Sequence, residues 1–288
     1  MGDLIVVALA GFLASIVDGA LGMGFGPTSS SILLSSGISP AAASATVNLA
    51  KVATGLAAGI SHWRFDNIDH RLVVKLAYPG AIGAVVGTTV LANVDGDDLR
   101  PVLAVLLLAV GLRILLRFSR DLPAAPEAVE GEAPSTVPPF DERGVEVAAG
   151  IGGVTNGLVG AWGPVVTPFL LHKGLPPRFA IGSTNTAEVV VAVVSSASLV
   201  LSLGGEGIRL SVVLAMLGGG VVAAPLAAYV VRFVPARLLG LAVAGLLLLT
   251  QTRELAGSVD APGSRWLVYS AIPVAVAVAA LRPRLRRR

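Results

Sequence analysis

The chain has 288 residues, 54% hydrophobic and 14% charged, with a mean hydropathy of +0.81 and a pI near 9.7. Repeated apolar runs of near-spanning length exclude a soluble domain with a single core and indicate a polytopic membrane protein. The absence of cysteine excludes disulfides, thiolate metal ligands and a thiol nucleophile. The basic surplus gathers at the ends of apolar runs and at the C-terminus, which fits membrane orientation better than nucleic-acid binding.

The N-terminus begins Met1-Gly2-Asp3 without a basic n-region, so a retained first helix is expected rather than a cleaved signal peptide. Leu4 to Val17 supplies 14 mostly apolar residues and Pro27 to Ser36 ten. Each falls short of the roughly 20 residues that cross a bilayer at ~1.5 Å per residue. Between them lies Asp18-Gly19-Ala20-Leu21-Gly22-Met23-Gly24-Phe25-Gly26-Pro27. Glycine loses the most backbone entropy in a helix and proline lacks the N–H, so this stretch predicts a break. The expected element is a re-entrant hairpin, with two half-helices and a glycine tip near the midplane. Unpaired backbone at that depth is tolerated only inside protein or beside a wet cavity, which makes the tip a candidate substrate site.

Gly37 then reads as a helix stop, and Ser39-Pro40 as an N-cap followed by proline at the first helical position. A helix from there to about Ser61 carries Asn48 and Lys51, and the polar, aromatic stretch His62 to Arg71 reads as an interfacial loop. Spans are expected over Leu72 to Asn93 and Leu99 to Arg117. A segment rich in Pro, Ala and Glu, about Ser119 to Glu142, reads as a flexible aqueous linker.

The pattern then returns. A shift of 137 carries Gly26-Pro27 to Gly163-Pro164, Gly37 to Gly174, Pro40 to Pro177, Asn48 to Asn185, Gly83 to Gly220 and Arg100 to Arg237. One ungapped offset joining the residues that bend the chain indicates an internal duplication. The second half is expected to hold a broken hairpin from Val145 to Leu171, its tip running from Thr155-Asn156-Gly157 to Gly163-Pro164. Spans follow over Pro176 to Leu203, Leu210 to Val231 and Pro235 to about Thr252, and a last apolar run, Trp266 to Leu281, has no counterpart. Lys and Arg at segment ends divide sixteen to four in favour of the side holding the C-terminus. This predicts the N-terminus outside and the C-terminus in the cytoplasm. With three full crossings per half, the two repeats would be inverted. The expected organisation is a first transmembrane repeat over 1–118, a linker over 119–143, a second repeat over 144–254, and an extra helix with a basic tail over 255–288. The fold class is all-α and polytopic, with two inverted repeats and one extra C-terminal transmembrane helix.

Several groups converge on one depth. The half-helices starting at Pro27 and Pro164 aim their N-termini at the tips, and such ends attract anions through free N–H groups and the helix dipole. Asn48 stands nine residues into its helix, about 13 Å deep and near the centre of a ~30 Å hydrocarbon layer. Asn185 is its counterpart. Lys51 follows Asn48 by three on the same face, and Glu188 holds the equivalent place after Asn185. Asp18 adds an ionisable group at the first tip, where the second half has Thr155. Structural alternatives stand beside each: glycines for close packing, as at Gly55/Gly59 and Gly83/Gly87, asparagines as interhelical glue, Lys51 and Glu188 as an ion pair between the halves, Asp18 as a cap. Gly22-x-Gly24-x-Gly26 lacks the strand-turn-helix context of a dinucleotide loop, no Gly-Lys-Ser/Thr loop is present, and His62, His70 and His172 fall at predicted interfaces. No metal site, cofactor or enzymatic nucleophile–base pair is therefore expected.

The glycine-rich hairpin ending in Gly26-Pro27, the Gly37…Pro40 turn, and their return as Gly163-Pro164…Gly174-Leu175-Pro176-Pro177…Gly182-Ser183-Thr184-Asn185 resemble the sulfite exporter (TauE/SafE) family of membrane permeases. The likeness covers roughly Leu4 to Leu255. It implies a small sulfur-containing anion, such as sulfite or an organosulfonate, as substrate. Thr46-Val47-Asn48 departs from the Gly-Ser-Thr-Asn form of the second half, so the two sides of a site need not match. The expected activity is secondary transport of a small anion held between the tips, with access alternating as one repeat rocks against the other. Gly24, Gly26, Thr28, Ser29, Gly163 and Val165 would contribute from the tips, Asn48 and Asn185 through their amides, and Lys51 through its charge. Glu188 and Asp18 are the candidates for a coupling proton, with membrane lipid the surrounding partner. Transport of a metal cation or amino acid on the same scaffold, or a non-transporting membrane subunit, are the alternatives.

Overall fold

In the computed structural model, residues 2–21, 23–119, 137, 139–203, 210–230, 236–258 and 271–278 are described. Helices α1 (Gly2–Leu21), α2 (Phe25–Ser35), α3 (Pro40–Arg64), α4 (His70–Asn93), α5 (Gly96–Ser119), α6 (Val145–Val159), α7 (Gly163–His172), α8 (Pro177–Leu203), α9 (Leu210–Val230) and α10 (Ala236–Ser258) follow one another among the described residues. Residues 271–278, inside the expected last helix, are also helical. All regular structure among the described residues is helical, and four helices there are long and apolar enough to cross a membrane: α4, α5, α8 and most of α10. The chain is an all-α polytopic membrane protein.

The expected stops and starts are where the local chemistry put them. Gly37 and Gly174 take φ of 82° and 92°, the left-handed region that side chains avoid. Each closes its half-helix with the same pair of bonds: Gly37 N–H to Leu34 and Ile38 N–H to Leu33, then Gly174 N–H to Leu171 and Leu175 N–H to Leu170. Ser39 caps α3 by accepting the Ala42 N–H at 3.4 Å, with Pro40 in the first turn, and Asp69 caps α4 by accepting from Leu72 at 3.1 Å.

Both breaks are shorter than expected. α1 continues through Asp18 to Leu21, and α2 restarts at Phe25, two residues before Pro27. α6 likewise continues through Thr155 and Asn156 to Val159, leaving Gly160 to Trp162 as the second break. Glycines at positions 19 and 157 do not end a helix that packs along its length against another, and proline is accommodated within a first turn where N–H groups lack partners anyway. Asp18 and Asn156 therefore project from helical last turns and not from loops.

Packing crosses between the halves. α1 lies along α9 and α6 lies along α4, so each hairpin is clasped by the helix of the other half, while α3 pairs with α8 and α5 with α10. Each half thus supplies the helix that holds the other half's hairpin. Glycines permit the two clasps: a Cβ at Gly83 or Gly87 of α4 would run into the Gly150 or Val154 carbonyl oxygen, and one at Gly153 of α6 into that of Gly80. On the other side, Cβ atoms at Gly11 and Gly219 would meet the carbonyl oxygens of Met216 and Ala8. Small residues let helices approach to backbone contact where lipid gives no hydrophobic drive. The expected linker lies mainly outside the described residues, but its end is docked: Asp141 donates its N–H to the Lys173 carbonyl at 3.2 Å, and Phe140 packs beside the α4–α6–α7–α8 core.

Candidate functional site

The two breaks touch. A Cβ at Gly26 would overlap the Gly160 carbonyl oxygen, and one at Gly160, whose φ is +67°, would lie 3.1 Å from the Gly26 Cα and 2.8 Å from Val47. Met23 packs on Gly163, 3.3 Å from where a Cβ would stand. Only glycine on both strands allows this approach, and it brings the N-termini of α2 and α7 to one place.

There they border a cavity of about 40 Å³, closed on its sides by α1, α3 and α8. Of the residues expected at the site, Asp18, Gly24, Gly26, Lys51, Gly163, Asn185 and Glu188 line it. Thr54, Gly55 and Ala58 extend the α3 wall. Gly55 thus faces both the cavity and Val189 of α8, 3.0 Å from where its Cβ would stand.

Three charged side chains meet in this space. Lys51 forms an ion pair with Glu188, the side chains 7% and 17% exposed. The same ammonium donates to Asn156 Oδ1 at 3.0 Å and to the Gly160 carbonyl at 2.7 Å. Asp18 Oδ1 accepts the Phe25 N–H at 3.3 Å, so the start of α2 already holds a carboxylate. Thr28 N–H returns to the Gly24 carbonyl at 3.1 Å, and Pro27 has no N–H, which leaves Gly26 as the free first-turn donor beside the cavity. At α7, Val165 and Val166 both donate to the Trp162 carbonyl at 3.0 Å, leaving the Gly163 N–H in the corresponding position.

The two asparagines related by the repeat diverge. Asn185 lines the cavity and its amide has no hydrogen-bond partner among the described residues. Asn48 is fully buried and faces away. Its Nδ2 donates to the Ser44 carbonyl at 3.0 Å and to the Asn156 carbonyl at 3.3 Å, while its Oδ1 accepts from Asn156 Nδ2 at 2.7 Å. Thr28 and Ser29 are buried one turn along α2 with hydroxyls that find no partner, and Val165 is half-buried away from the lining.

Asn156 is the residue to which sequence reasoning gave no role. It joins Lys51, Asn48 and, through Nδ2 at 3.1 Å, Ser195 of α8. Its signal was an amide within an apolar run beside the second break. Its register relative to α3 could not be known, because that comes from the α4–α6 clasp.

A bundle of apolar helices with two broken hairpins meeting at a charged internal cavity has the build of a membrane transporter. The family model for the sulfite exporter TauE/SafE matches residues 7–253, and the chain belongs to that family. It is also 40% identical over 258 residues, 88% of this chain and 83% of the relative, to the "Probable membrane transporter protein YtnM" of Bacillus subtilis (strain 168). No solved structure gives a significant match.

Proposed function

We propose that this transporter is a secondary exporter of a small sulfur-containing anion, such as sulfite or an organosulfonate, bound between the two breaks. The observation that carries the proposal is the convergence of both half-helix N-termini, the Lys51 ammonium and the unpartnered Asn185 amide on one cavity, in a chain of the sulfite exporter family. Gly24, Gly26 and Gly163 offer backbone at the helix starts, Asn185 orients the oxyanion, and Lys51 balances its charge. Thr28, Ser29 and Val165 complete the tips behind them, and Asn48 acts from behind by holding Asn156. Glu188 and Asp18 carry the coupling proton. The exchange of hairpins fits two related repeats, the Lys and Arg distribution supports their inverted insertion with the N-terminus outside and the C-terminus in the cytoplasm of a cell-membrane protein, and access alternates by rocking. A negative-inside potential favours exit of net negative charge by ~2.3 kcal/mol per charge per 100 mV, so a dianion leaving with one proton runs downhill electrically, while a monoanion with one proton moves electroneutrally.

Flux of labelled sulfite or methanesulfonate in proteoliposomes tests this, with Lys51→Ala and Asn185→Ala both expected to lower it at least about tenfold, the loss of one charged or bidentate contact. Unchanged flux in both variants removes the site. One observation favours a second reading, transport of a cation or amino acid: the cavity holds two carboxylates and one ammonium. Competition by divalent metal ions or amino acids, with none by sulfonates, would select it.

A further inference from the structure

The Lys51 ammonium has three N–H donors and four nearby claims on them once a substrate arrives. Two donors are taken by neutral acceptors of the second hairpin, Asn156 Oδ1 at 3.0 Å and the Gly160 carbonyl at 2.7 Å. The third is on the Glu188 carboxylate. Asn156 is itself held by Asn48 and Ser195, and the Gly160 carbonyl by backbone contact between the tips, so neither acceptor can turn away cheaply. Glu188 is different. Its side chain projects from α8 into the cavity, is more exposed than Lys51, and has no other hydrogen-bond donor among the described residues.

We infer that Glu188 is a built-in competitor of the transported anion: its carboxylate occupies the one Lys51 donor the anion needs, and the anion takes that donor only as Glu188 accepts a proton. The inference rests on the anion-transport reading above and specifies its coupling. A protonated Glu188 no longer claims the ammonium as an ion, so proton and anion enter the site together and leave together. Lys51 is never left buried and unpaired, which would be costly for so buried an ammonium. The other charged group facing Glu188 across the cavity is the Asp18 carboxyl of α1; among the described residues α4, α6 and α7, which also pack on α8, place no titratable side chain on the cavity lining.

The experiment is equilibrium binding of thiosulfate and methanesulfonate to the detergent-purified full chain between about pH 6 and about pH 8. Neither ligand changes charge over this range, so pH acts only on the protein. Wild-type affinity is expected to fall with rising pH, by up to about tenfold per unit for one linked proton. Glu188→Gln, which keeps the shape and cannot ionise, is expected to bind at least about tenfold tighter than wild type near pH 8, with the pH slope reduced by one proton. The same comparison in an Asp18→Asn background separates the two carboxylates. Proton uptake on adding thiosulfate to weakly buffered wild type gives a readout needing no variant. Weaker binding by Glu188→Gln, an unchanged pH slope, or binding without proton uptake overturns the inference and leaves the anion reading standing. Absence of binding by folded wild type and variant alike removes the sulfur-anion reading, and the inference with it.

Discussion

At the scale of single residues, a charge far from water is kept only where every donor finds an acceptor. Lys51 is 6% exposed and meets three acceptors, two of which, Asn156 Oδ1 and the Gly160 carbonyl, come from the second hairpin. Asn156→Ala strips one acceptor from Lys51 and removes the amide donor to Asn48 Oδ1 and Ser195 Oγ. Leaving buried polar groups unpaired costs about 1–3 kcal/mol each, so a clear fall in the unfolding temperature of the detergent-solubilised protein is expected. Equal melting of variant and wild type would show that Asn156 holds nothing. The glycines separate two causes. Gly26→Ala places a methyl group into the Gly160 carbonyl, and Gly37→Ala meets no neighbour but keeps a φ of +82°. Gly37→Ala is expected to cost about 1–2 kcal/mol of backbone strain with flux retained. Gly26→Ala is expected to abolish flux, because the tips must separate to admit the methyl group. Both are read by melting and flux on the same preparations.

At the scale of elements, the hairpins are set by helices from the other half. The α4–α6 clasp runs through Gly80, Gly83 and Gly87 against Gly150, Gly153 and Gly157. Gly83→Leu forces these backbones apart and moves α6, hence Asn156 and Gly160, away from Lys51. Overpacking of this kind costs about 1–3 kcal/mol or more, and flux is expected to fall further than stability. An enlargement that lowers the melting point and leaves flux untouched would uncouple the clasp from the site. Glycine and serine in the corresponding α1–α9 contact, such as Gly220 beside Ser15, give the first hairpin the same close seat.

At the scale of the whole molecule, the segment between the halves ends in ion pairs. Lys173 holds the Asp141 carboxyl below its ordinary range through a 2.6 Å hydrogen bond, and Lys75 does the same to Glu142 at 3.0 Å. A carboxyl lowered in the folded protein adds stability above its unfolded value, and that contribution disappears as pH falls through the folded value. Stability is therefore expected to decline below about pH 4, more gently at high salt because these pairs are exposed. Asp141→Asn should flatten part of that decline, and an acid melting profile identical to wild type would show that the Asp141–Lys173 pair contributes nothing to stability. The complete absence of cysteine permits a direct test of topology. Val94→Cys in the α4–α5 turn should label from outside intact cells, and Asp66→Cys in the α3–α4 turn only after permeabilisation. The reverse pattern would invert the orientation drawn from the Lys and Arg distribution.

Much of the molecule follows from local chemistry. Apolar runs long enough for a bilayer had to be helices, because backbone groups in lipid need partners within the same segment. Gly37, Ser39-Pro40 and Gly174 had to stop and start them, since a positive φ and a missing N–H are properties of single residues. The fixed offset between Gly26, Asn48 and Lys51 and their counterparts placed a pair of charges on facing helices. Which partners those side chains take is another matter. Asn48 and Asn185 are equivalent in sequence, yet one is bound to Asn156 and the other faces the cavity, because α6 lies against α3 while Asn185 opens onto the space between the tips. The breaks are shorter than glycine content implies, since packing along α4 and α9 supports helix through residues that would fray alone. Helix propensity and capping act within a few residues and are written along the chain. Donor–acceptor matching between helices depends on register and rotation, which exist only once the two halves have closed on each other.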